Sequence, residues 1–284
     1  MSEAKSDGIS LQWTDIDKAA EEMARVVQPR FADLLHFFAP AADCCKRLIY
    51  RGDQVTDESA QKTLALYHAV QAFRTAVAAT RISLGGYADV AAGLARTVWE
   101  LQLRLATIRR GGELRALAEL YIATSREIRS REASIADDGD DEARRALQTW
   151  LDGRADLIQK AEHLGVDEAA LRRVGKTTVA AMAFAEGQQL EYDFWYSLLS
   201  QMHHGGRAFA TYRYMRDVVT DENGMLLSVD DHTETMIGSA LEYLFRALTQ
   251  SALIFREHFL AVEIDRIHSQ LGPLILKVFP EGAA

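Results

Sequence analysis

The residues best equipped for chemistry stand in one short segment, YDFWYSLLSQMHHGG, running from Tyr192 to Gly206. Within it Tyr192, Tyr196, Ser200 and His204 follow one another at four-residue steps. Each such step turns a helix by about 400°, so the four drift slowly round one side and form a polar ladder beside Trp195 and Leu199. Phenol, hydroxyl and imidazole together supply donors, acceptors and a proton-exchanging group. A ladder of this kind can hydrogen-bond to a partner helix or line a cleft. His203 and His204 point about 100° apart, which does not suit joint ligation of one ion.

A second wall is available in ARTVWE, where Arg96 and Glu100 stand four apart, on the side opposite the apolar row Val90, Leu94, Val98, Leu101 and Leu105. A solvated pair at that spacing contributes only about 0.3–0.5 kcal/mol. Trp99 and Leu103 flank the same side, however, so the pair is also a candidate for enclosure between helices. It would then need the further donors and acceptors that tyrosine, serine and histidine provide. Arg96, Glu100, Tyr196, Ser200 and His204 are therefore the leading site candidates.

RTVWE, followed roughly a hundred residues later by YxxxYxxLSxxxHG, resembles a family of mostly bacterial all-helical proteins catalogued as a domain of unknown function. Its pattern is an RSxxE-like helix and a later YxxLSxxxH helix. Thr97 stands where serine is common in that family. The resemblance spans roughly residues 86–206 and implies an all-helical fold with a shared polar cluster, without implying a reaction.

Other motifs compete. RVGKTT, Arg173 to Thr178, ends like a phosphate-binding loop, but Ala170 occupies the place of the earlier glycine and helical sequence precedes it. It reads as a helix boundary. Asp33 with His36, and Asp265 with His268, are DxxH pairs that a helix puts on one face, and Glu100 and Glu119 would be the extra carboxylates of a dimetal bundle. These are weak metal candidates, and no motif calls for a cofactor. RFADLLH, Arg30 to His36, resembles the Arg and His spacing of HEPN-like helical ribonucleases, which implies a histidine acid or base beside an arginine on phosphate charge. Phe31 replaces the polar second residue usual in that class. No GxSxG elbow is present, and Cys44 has no histidine context.

Composition bounds the rest. A chain of 284 residues with 48% hydrophobic and 26% charged residues can bury a core without disulfides or metal. Four prolines and abundant Ala and Leu point to helices. A formal charge of −9 argues against a dedicated DNA surface, although Arg104, Arg109, Arg110 and Arg115 make a local basic cluster. Adjacent Cys44 and Cys45 read as reduced packing residues. The N-terminal stretch lacks the pattern of a signal peptide and no apolar run reaches the length of a membrane span, so a cytoplasmic protein is expected.

Three- and four-residue apolar spacing, punctuated by glycines and acidic turns, predicts a bundle of about nine to eleven helices. A kink is expected at Pro40, breaks are expected at the glycine pairs 85–86, 111–112 and 205–206, and helices over 87–110, 113–135 and 188–204. The final element, from about 228 to 271, reads as a long C-terminal helix or two in series. Residues 1–11 and 280–284 read as tails around one domain, 12–279, with two packed halves meeting near 136–141. The expected role is a non-catalytic protein that binds a protein partner or forms a homo-oligomer. The alternatives are an RNA-cleaving defence or toxin effector, and a small-ligand or metal site in the bundle.

Overall fold

A computed structural model describes residues 13–52, 59–138, 141–196 and 231–276. All regular structure among them is helical. The order is α1 (Trp13–Val27), a 3-10 turn (Gln28–Phe31), α2 (Ala32–Leu35), α3 (Phe38–Gly52), α4 (Ala60–Leu84), α5 (Ala88–Asp138), α6 (Asp141–His163), α7 (Glu168–Gly175), α8 (Val179–Ala185), α9 (Gln189–Glu191), a π turn (Tyr192–Tyr196), α10 (Asp231–Ile254) and α11 (His258–Leu276).

α4, α5 and α10 form the centre. α4 presents Ala65, Ala69, Ala72, Ala76 and Ala79, all fully buried, at three- and four-residue steps. A row of methyl side chains lets neighbouring backbones approach closely, and the partners fill the seam with large groups: Trp99, Leu103 and Leu105 from α5, and Ile237, Leu241, Leu244, Phe245 and Leu248 from α10. Deep in this seam the Ser251 hydroxyl donates to the Ala65 carbonyl at 3.2 Å.

α5 is continuous in name only, because Gly112 has φ 62° and ψ −153°, a conformation open essentially to glycine. The break is a reversal. Arg104 and Glu119 form an ion pair at 3.3 Å, whereas 15 residues of straight helix would separate them by about 22 Å. The two arms therefore fold back on each other, as the Gly111–Gly112 pair predicts. The reversal also delivers Glu113 to the start of α4, where its carboxylate accepts from the backbone N–H of Ala60 (2.6 Å) and Gln61 (3.1 Å) and from the Ser59 hydroxyl (2.9 Å). Ser59 is itself the N-cap, accepting from the Lys62 N–H.

The second arm of α5 packs with α6 and α7 around Leu117, Ala118, Tyr121, Leu157, Ala161 and Leu171. α5 and α6, on either side of the acidic segment near 136–141, both contribute to this cluster. Pro40 sits in the first turn of α3, where no intrahelical N–H is required, so it makes no kink. The chain breaks earlier, at His36–Phe37. The C-terminal stretch is not one long helix. It turns at Arg256, φ 60°, and α11 runs back along α10, with Thr249 bonded to Asp265 and Glu242 to His268. No helix among the described residues is long and apolar enough to cross a membrane.

Candidate functional site: an interhelical polar network

The first arm of α5 is buried on most of its circumference, so the polar groups it carries must find partners inside the bundle. Trp99 is buried, and its indole N–H donates to Glu191 Oε2 on α9 at 3.2 Å. Gln102 donates to Gln188 Oε1 at 2.7 Å, an amide pair that ties α5 to the residue preceding α9. These two bonds hold α9 and the π turn against α5.

Glu191 is shared. Arg246 of α10 donates through Nη1 to both its oxygens, at 2.8 and 3.0 Å, and through Nε to Glu242 Oε1 at 2.7 Å. The other Glu242 oxygen meets His268 Nε2 of α11 at 2.5 Å, and the His268 ring stacks on Phe245. One chain of charge-assisted contacts therefore links α5, α9, α10 and α11.

Beside it lies an aromatic stack. Tyr192 and Tyr196 are parallel at 4.9 Å, and Trp99 lies 5.3 Å from the Tyr196 ring. The Arg96 guanidinium rests 4.4 Å from the centre of Tyr196 while its Nε donates to Glu100 at 3.1 Å. The Arg96 and Glu100 side chains are 23% and 22% exposed, so the pair is enclosed on its inner side and open on its outer one.

Titration behaviour follows from this crowding. Burial, then the charges of Glu191 and Glu242, push the Tyr243 phenol far up against the opposing pull of Arg246. Burial and the Glu100 carboxylate likewise push up Tyr196. Burial acts to raise Glu242, but His268 and Arg246 outweigh it and hold this carboxyl below its ordinary value. Neither tyrosine offers a phenolate near neutral pH, and the Glu242 carboxylate stays ionised and paired.

Of the expected cluster, the structure brings Arg96, Glu100 and Tyr196 together, with Trp99 behind them. Ser200 and His204 lie outside the described residues. Sequence reasoning missed Glu191, Glu242 and Arg246. The EYLFR spacing of Glu242 and Arg246 matches that of Arg96 and Glu100 and was the available signal.

The other candidates are dispersed. His268 serves Glu242 while Asp265 accepts from Thr249, so that DxxH pair is not a shared ligand set. Glu100 is committed to Arg96, and Glu119 to His68 (2.8 Å) and Arg104. Asp33 and His36 are exposed. Among the described residues no group of three or more His, Cys, Asp or Glu side chains is arranged to hold a metal ion.

Arg30 lies over Phe31 and His36 over Phe37, both outside the core and with no contact bringing them together. The basic cluster also dissolves. Arg104 pairs with Glu119 and Arg110 with Glu186, while Arg115 is buried, bonded to the Val174 carbonyl and to Thr177. Cys44 and Cys45 are free and buried, and burial together with Glu263 pushes the Cys44 thiol up to about 11.

Fold and site define an all-helical bundle braced by an internal polar network. Comparison with family models, curated proteins and solved structures returned no match.

Proposed function

We propose that this is a non-catalytic helical protein that works by binding, associating with a second copy of itself across the outer face of α11. One observation carries the reading: Phe259 is 93% exposed and Val262 68%, three residues apart on one face of a helix whose other side is fully packed. Asp265 and Arg266 bring both signs of charge to the edge of that face, so a two-fold-related copy meets opposite charge. Removing each such side chain from water contributes about 1.5–3 kcal/mol, against an association cost of about 4–15 kcal/mol, which describes a weak dimer.

The polar network supports the non-catalytic half of the reading. Its described charges satisfy one another, in the manner of a brace between helices.

Sedimentation velocity from low to high micromolar protein tests the association. The expected result is a dimer fraction that rises with concentration in the wild type and disappears in the Phe259→Ser, Val262→Ser double variant. Both changes remove exposed side chains, so folding is preserved. A wild type that stays monomeric throughout would overturn the reading.

A further inference from the structure

The second arm of α5, α6 and α7 enclose a half-open cavity of about 240 Å³. Its wall carries Arg129, Arg154, Arg172 and Lys176, contributed by three helices and the residue that ends α7. Among the described residues none of these four cations pairs with a carboxylate, and the one carboxylate in the wall, Glu132, lies beyond ion-pair distance of them. Arg154 is partly buried and Arg129, Arg172 and Lys176 are exposed, so in a chain of net charge −9 four cations without a carboxylate partner border one cavity.

Polar groups complete the wall. The Ser125 hydroxyl is buried there without a partner of hydrogen-bond geometry, the neighbouring Tyr121 hydroxyl being given to Glu168 at 2.6 Å. Three guanidinium forks, one ammonium and a buried hydroxyl are a donor set that tetrahedral oxyanions accept well.

We infer that this cavity binds a small phosphate-bearing anion of two or more negative charges, held by Arg129, Arg154, Arg172 and Lys176 with Ser125 as a further donor. The site goes beyond the self-association reading and does not depend on it, since α11 takes no part. It also gives the RVGKTT segment a different meaning from a phosphate-binding loop. Gly175 serves packing, because a Cβ there would lie 2.5 Å from the Ala118 carbonyl oxygen and from Ile122. Lys176 alone turns its charge to the cavity. The volume fits one or two phosphoryl groups and leaves the remainder of a larger ligand outside.

Isothermal titration of the full chain with inorganic pyrophosphate, in parallel with adenosine diphosphate, tests the inference. The expected result is saturable one-site binding of pyrophosphate that weakens as salt rises. Affinity should fall at least about tenfold in Arg154→Gln and again in the Arg154→Gln, Arg172→Gln double variant, as expected for lost charge-assisted contacts. Arg25→Gln, at an exposed pair on α1, should leave it unchanged. Equal affinity for the two ligands would assign recognition to phosphate alone, and tighter diphosphate nucleoside binding would add contacts outside the cavity. Absence of binding by the wild type, or binding that Arg154→Gln and Arg25→Gln alter equally, would overturn the site. The cations hold no structural partner, so circular dichroism of the variants should match the wild type and exclude misfolding as the cause.

Discussion

At the scale of single residues, the clearest consequence of burial falls on Glu119. Burial alone would raise its carboxyl, but the hydrogen bond and charge of His68, with Arg104 and Arg115, outweigh it and hold the group below its ordinary value. A carboxyl depressed in the folded state contributes stability that is fully present above the unfolded value of about 4.3. That contribution is lost as pH falls through the lower folded value. Thermal melts from neutral to acid pH should therefore show Glu119→Gln less stable than wild type by about 2 kcal/mol at pH 7, with a shallower decline below about pH 4. Parallel curves for the two proteins would show that the ion pair does not contribute in this way. The sequence put Glu119 among metal ligands and Arg104 in a basic patch, because it records charge but not the reversal that makes them partners. That reversal turns on Gly112, whose need for positive φ is legible, whereas the identity of the side chains it brings together is not.

At the scale of elements, helix ends follow from backbone freedom and capping: the glycine pairs at 85–86 and 111–112 were readable as breaks, and Gly86 and Gly112 take positive φ, while Ser59 and Asp167 cap α4 and α7. One boundary was misread and one left open for physical reasons. Pro40 looks like an interruption only if α3 is assumed to begin earlier, and of the two C-terminal readings the structure has two helices, because the chain reverses at Arg256. Close helix contact is the property least visible in sequence. Gly175 looks like a turn residue, yet its lack of a side chain lets the end of α7 seat against the second arm of α5. Gly175→Ala should cost about 1–3 kcal/mol through overpacking. Urea unfolding measures this, and an unchanged midpoint would mean that the two helices separate freely.

At the scale of the whole molecule, one polar chain joins α5, α9, α10 and α11, and these elements are far apart in sequence. The local half of the site was legible: Arg96 and Glu100 at a helical step, and tyrosines on a later helix. The tertiary half was not, since the bond from Trp99 to Glu191 and that from Arg246 to Glu191 depend on which helix faces which. These contacts stabilise the bundle. Residues kept for a reaction commonly hold stability below its optimum, so their replacement is neutral or stabilising. A double-mutant cycle of Glu191→Gln and Arg246→Met, followed by urea unfolding, separates the two cases. A structural brace predicts that each single change costs about 2–3 kcal/mol, with a coupling of at least about 1 kcal/mol between them. Single variants as stable as wild type, or more stable, would contradict it and mark the network as a site maintained for chemistry.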